Sequence, residues 1–134
     1  MKKAINILMT TCLALLIIPG SPVFAGDFMS AEEVKTLLSG KTTTGKGLKK
    51  GFTVITYFGA DGKMDGTKDG ERRAGTWTVR DDGQQCVEFD DGNGNCRFIK
   101  DNGDGTYAKV KVKGNGKKIP LVLWESIVDG NTVK

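Results

Sequence analysis

The chain contains no histidine. That absence removes the usual neutral-pH general base, the Ser-His and Cys-His nucleophile pairs, and the commonest metal ligand. Cysteine is scarce as well: Cys12, Cys86 and Cys96 are the only three. Beyond residue 25 serine is confined to Ser30, Ser39 and Ser126. A hydrolase of the usual kinds is hard to assemble from this inventory. Nor is there a long apolar run. The longest, Ile5 to Ile18, falls short of the ~20 residues a membrane helix needs.

That run does fit an export leader. Lys2 and Lys3 precede it, Pro19-Gly20 breaks it, and Val23-Phe24-Ala25 supplies a small-x-small cleavage site. Cleavage after Ala25 is expected, with Cys12 leaving in the leader. Residues 26–134 then form a single small domain, periplasmic or secreted and monomeric. Two lysines leave with the leader, which halves the formal charge of +4. A near-balanced surface does not point to nucleic acid. No membrane contact is expected once the leader is gone.

Ser30-Ala31-Glu32-Glu33 reads as a helix start with a reciprocal cap. Ala31, Val34, Leu37 and Leu38 share one face, and Gly40 ends the helix, which spans about residues 30–39. From Phe52 onward the period changes to two. Strands are expected over Phe52–Phe58, Gly75–Arg80, Cys86–Phe89, Arg97–Lys100, Thr106–Lys113 and Ile119–Glu125. Thr106, Ala108, Val110 and Val112 form the apolar side of the fifth of these. Asp61-Gly62, Asp65-Gly66, Asp69-Gly70, Asp82-Gly83, Asp91-Gly92, Asn102-Gly103 and Gly114-Asn115-Gly116 read as tight turns between strands. The fold class is therefore mainly β. A short N-terminal helix precedes an antiparallel meander of roughly six to eight strands, closed into a small barrel or strongly curved sheet.

Folding GTWTVRDDGQQCVEFDDGNGNCRFIK about Asp91 brings Cys86 opposite Cys96, Val87 opposite Asn95 and Glu88 opposite Gly94. Asp90-Asp91-Gly92 forms the loop. Opposed residues on antiparallel strands lie within disulfide reach, and an exported chain meets an oxidising environment. A Cys86–Cys96 disulfide is expected. Two cysteines without histidine are too few for structural zinc. The stretch DGKMDGTKDGER from Asp61 has the acids and glycine of a calcium loop. It places Lys63 and Arg72 where ligands belong, so it reads as turns. GKTTTGKG, residues 40–47, nearly matches a phosphate-binding loop, but Gly47 replaces the hydroxyl and the stretch follows a helix. It reads as a flexible basic connector. No residues are assigned a catalytic, cofactor-binding or metal-binding role, and no cofactor is implied.

Lys109, Lys111 and Lys113 alternate with Val110 and Val112, so they share one face of a strand. This face is read as outward and solvated, with an anionic-partner surface as its functional alternative. Tyr57, Phe58, Trp77, Tyr107 and Trp124 are read as core.

Several segments in this order resemble an uncharacterised family of exported bacterial proteins (domain of unknown function 995). They are Leu37-Leu38-Ser39-Gly40-Lys41-Thr42, Tyr57-Phe58-Gly59-Ala60-Asp61-Gly62, Gly75-Thr76-Trp77-Thr78-Val79, Cys86-Val87, Cys96-Arg97 and Gly105-Thr106-Tyr107. The resemblance implies an exported small β domain and carries over no catalytic residue. Gly75-x-Trp77 is also similar to a lipocalin signature, although it sits mid-chain here rather than at the first strand.

Three functions follow as expectations. The first is a non-enzymatic binding module for a small apolar molecule or peptide. The second is a protein-facing inhibitor or interaction module acting through the disulfide-held loop. The third is a carboxylate-based hydrolase using Glu71, Glu88 or Glu125. An internal cavity lined by aromatics distinguishes the first, and exposed apolar loop tips the second. Two carboxylates facing one another in a cleft distinguish the third.

Overall fold

A computed structural model describes residues 27–134. The expected leader and its cleavage site lie outside the described residues. Helix α1 (Ala31–Leu38) is followed by β1 (Lys41–Gly47), β2 (Thr53–Phe58), β3 (Lys63–Lys68), β4 (Glu71–Val79), β5 (Gln85–Phe89), β6 (Gly94–Asp101), β7 (Tyr107–Val112) and β8 (Lys118–Asp129). Each strand pairs antiparallel with the next, and β1 pairs with β8 to close an eight-stranded barrel. The expected mainly β fold, with one short helix before a small barrel, is what forms.

The helix is built as its sequence indicates. Ser30 Oγ accepts from Glu33 N–H at 3.2 Å, and Glu33 Oε1 accepts from Ser30 N–H at 3.1 Å. Val34 and Leu38 are fully buried and pack with Phe58, Trp77 and Ile99 inside the barrel. Leu37 and Met29 add to that cluster. The helix packs on β1 and β4. Gly83, in the β4–β5 loop, lies against the Met29 carbonyl, where a Cβ would approach to 2.5 Å. α1 therefore plugs the barrel end that carries the β2–β3, β4–β5 and β6–β7 loops. The opposite end carries the β1–β2, β3–β4, β5–β6 and β7–β8 loops.

Most turns follow one local rule. In Asp61-Gly62-Lys63, Asp82-Gly83-Gln84, Asp91-Gly92-Asn93, Asp104-Gly105-Thr106 and Asn115-Gly116-Lys117, the first side chain accepts from the N–H two residues on. Each central glycine has positive φ, which a Cβ would disfavour. Asp65-Gly66 breaks the rule. It lies inside β3, where Tyr57 pairs with Asp65 and Gly66 pairs with Arg73. There Asp65 is held by Arg72 from the next strand rather than by its own backbone.

Two strands depart from expectation. β3 occupies the stretch read as successive turns, and β1 occupies the stretch read as a flexible connector. Lys41–Gly47 has almost no apolar side chain to mark it as a strand. It forms because β2 and β8 present free edges on both sides, so both its ladders are filled. Thr42 is fully buried on the outer side, where its hydroxyl donates to the Gly130 carbonyl at 2.6 Å and accepts from Thr132 N–H at 3.0 Å. Inward glycines permit the curvature. A Cβ at Gly45 would come within 2.5 Å of the Leu123 carbonyl, and one at Gly75 within 2.0 Å of the Glu88 carbonyl.

The β5–β6 hairpin has the expected register, with Cys86 opposite Cys96, Val87 opposite Asn95 and Glu88 opposite Gly94. Cys86 and Cys96 are disulfide-bonded, their Cα atoms 4.0 Å apart.

Candidate functional site: a cationic cavity inside the barrel

Only part of the barrel interior is filled. Val34, Leu38, Trp77 and Ile99 occupy the helix end. Beyond them lies a cavity of about 360 Å³ that opens toward the other end. This volume is within the range of small-molecule sites. Phe58, Met64, Val87 and Trp124 belong both to the core cluster and to the cavity lining, so they form its floor. Phe52 and Phe89 line it nearer the mouth, together with Lys49, Lys50 and Lys68. Phe52 reaches this position because Gly47 has no side chain; a Cβ there would fall 2.3 Å from the ring. Lys68 Nζ lies 4.3 Å from the centroid of the Phe52 ring.

The walls differ in chemistry. β2 and β3 contribute Val54, Thr56, Met64 and Gly66. Across the barrel, β6 contributes Arg97 and β7 contributes Lys109, while β4 adds Arg73. Arg73 stacks its guanidinium 3.9 Å from the centroid of Phe89, and Lys109 Nζ lies 5.8 Å from the centroid of Trp124. No acidic residue is among the described residues that line the cavity. Among the described residues, none of Arg73, Arg97 and Lys109 makes an ion pair. Burial, reinforced by the charges of Arg97 and Arg73, pushes the Lys109 ammonium down from 10.5 to about 8. Burial also lowers the Arg97 guanidinium from its ordinary value.

The expected outward lysine face is therefore corrected at Lys109. Lys111 and Lys113 are exposed, but Lys109 lines the cavity. Its neighbours Ala108 and Val110, expected to point inward, are buried on the other side of the strand. The register explains this. Lys109 pairs with Ile99, a core residue, whereas Val110 pairs with Phe98. Phe28 stacks on Phe98 at 4.6 Å, and Asp27 holds Lys118 at 2.7 Å. The segment before α1 thus covers the outside of β6. With both faces covered, an apolar side does not identify the interior.

The other candidates separate. Glu71, Glu88 and Glu125 are all exposed and line no part of the cavity; Glu125 pairs with Lys46 at 2.8 Å. The tip of the disulfide-held loop, Asp91-Gly92-Asn93, is polar and exposed. Trp77 is core, with its Nε1 donating to the Gly59 carbonyl at 2.8 Å, whereas Trp124 serves both core and cavity. Arg73 and Arg97 were not singled out from the sequence. The available signal was a two-residue spacing from inward positions, Arg97 from Ile99 and Arg73 from Gly75. A second depression, of about 430 Å³, lies outside β2 to β4 between Tyr57, Asp65 and Asn131.

Fold and cavity together define an up-and-down β-barrel with an apolar floor, a cationic wall and one end plugged by a helix. No model of a known protein family matches the chain, and no curated protein does.

Proposed function

We propose that this protein is an exported, non-enzymatic binding module that holds a small molecule with an apolar body inside the barrel. The observation that carries the reading is the cavity of about 360 Å³ floored by Phe58, Met64, Val87 and Trp124. A core this small gains stability from every buried methylene, so leaving such a volume unfilled costs stability unless it serves a ligand. Lining of this kind, largely apolar and aromatic with a few fixed polar groups, is what small-molecule sites share. The leader-like first 25 residues and the Cys86–Cys96 bond support an oxidising compartment.

Titration with the neutral fluorescent amine N-phenyl-1-naphthylamine tests this. The expected result is saturable binding at one site per chain with a blue-shifted emission. Thr56→Trp, which fills the cavity from β2, should abolish it while the thermal midpoint shows the variant folded. Absence of saturable binding to the folded wild type, or undiminished binding to the folded variant, overturns the reading.

A further inference from the structure

Resting on that reading, we infer that the ligand is an amphipathic anion: a carboxylate on an apolar chain or ring, its head held by Arg73, Arg97 and Lys109. These three cations come from β4, β6 and β7 and face one cavity, with no acidic residue among the described lining residues. On the described surface Lys41, Lys46, Arg72 and Lys118 meet carboxylates, and other cations such as Lys111 and Lys113 are simply exposed to water. Inside the barrel the chain places cations without counter-charge, although withdrawing like charges from water is costly unless they are paired. Burial first, and then the charges of Arg97 and Arg73, lower the affinity of Lys109 for its proton. One bound anion would relieve all three at once. Arginine forks grip a carboxylate through two parallel N–H donors, and the lysine adds a point charge.

Gln85 neighbours this group without lining the cavity. It is fully buried and pairs with Arg97 across the β5–β6 ladder, hence on the same inner face. Neither its Oε1 nor its Nε2 has a hydrogen-bond partner among the described residues. A buried amide in this state calls for a polar partner, and an ordered water beside Arg97 meets that need as well as a ligand does. The opposite wall, Val54 and Met64, suits the apolar part of the ligand. At interior packing density the cavity admits roughly ten to twenty non-hydrogen atoms, so a medium-length chain or a compact ring system fits.

The test compares decanoate, decan-1-ol and decylamine by titration calorimetry against the full protein stripped of lipid, with Arg97→Gln, Lys109→Met and the double variant alongside. Decanoate should bind about tenfold or more tightly than decan-1-ol, and decylamine weakest. The double variant should remove most of that preference while leaving decan-1-ol within about threefold, with thermal midpoints confirming the fold. If decan-1-ol or decylamine equals decanoate, or the folded double variant keeps the preference, the anion inference falls and the binding module stands. If none of the three binds and N-phenyl-1-naphthylamine also fails, both fall together.

Discussion

Lys109→Met should stabilise the ligand-free protein at neutral pH. Lys109 is half-buried, with its ammonium near Trp124 and facing Arg97 on β6 and Arg73 on β4. Its pKa is about 8 in the folded chain, against 10.5 for a free lysine. At pH 7 both folded and unfolded states carry the proton, so the folded state bears the full cost of the charge. Between about 8 and 10.5 the unfolded chain binds more protons than the folded one, and stability from this group rises with pH. At ~1.4 kcal/mol per pH unit the cost comes to ~3–4 kcal/mol, and water reaching a half-buried side chain lowers it to ~1–2 kcal/mol. Methionine keeps the length and apolar stem of lysine without the charge. Urea unfolding of both proteins, free of ligand, should show the variant more stable by ~1–2 kcal/mol at pH 7. The gap should close as pH rises through the window from about 8 to 10.5. A variant equal to or weaker than wild type at pH 7, or a gap independent of pH, refutes the account of the cationic wall.

Three further variants probe the frame. Replacing Cys86 and Cys96 together by serine frees a loop with a sequence separation of 10. It should cost ~2–3 kcal/mol, seen as a lower thermal midpoint that reductant no longer shifts. Leu38→Ala opens a void under the helix plug and should cost ~2–5 kcal/mol by chemical unfolding; a change below ~1 kcal/mol would mean that α1 does not seal the barrel. Gly75→Ala places a methyl 2.0 Å from the Glu88 carbonyl and should destabilise by ~1–3 kcal/mol, read as a lower urea midpoint with the disulfide intact.

The helix, most turns and the disulfide hairpin were legible in the sequence because local chemistry settles them. Ser30 and Glu33 cap each other within one turn. Each Asp-Gly-x or Asn-Gly-x turn closes on its own backbone. Asp91-Gly92 sets the register that brings Cys86 to Cys96. The cavity was not legible. Arg73 and Arg97 look like solvated charges in the chain, since alternation marks two faces without saying which one looks inward.

The order of residues alone was thus enough for a short capped helix and a run of hairpins pinned by one sulfur bridge, since every one of those choices is made among near neighbours. The identity of the closing strand and the polarity of the interior came from distant partners. β1 becomes a strand because β2 and β8 meet it on both edges. Lys109 turns inward because Phe28 and its neighbours cover the outside of β6, leaving the inner face of β7 for the charge. Long-range pairing and burial outweigh local preference there, because a backbone edge or an apolar face must be covered by whatever segment the fold brings to it.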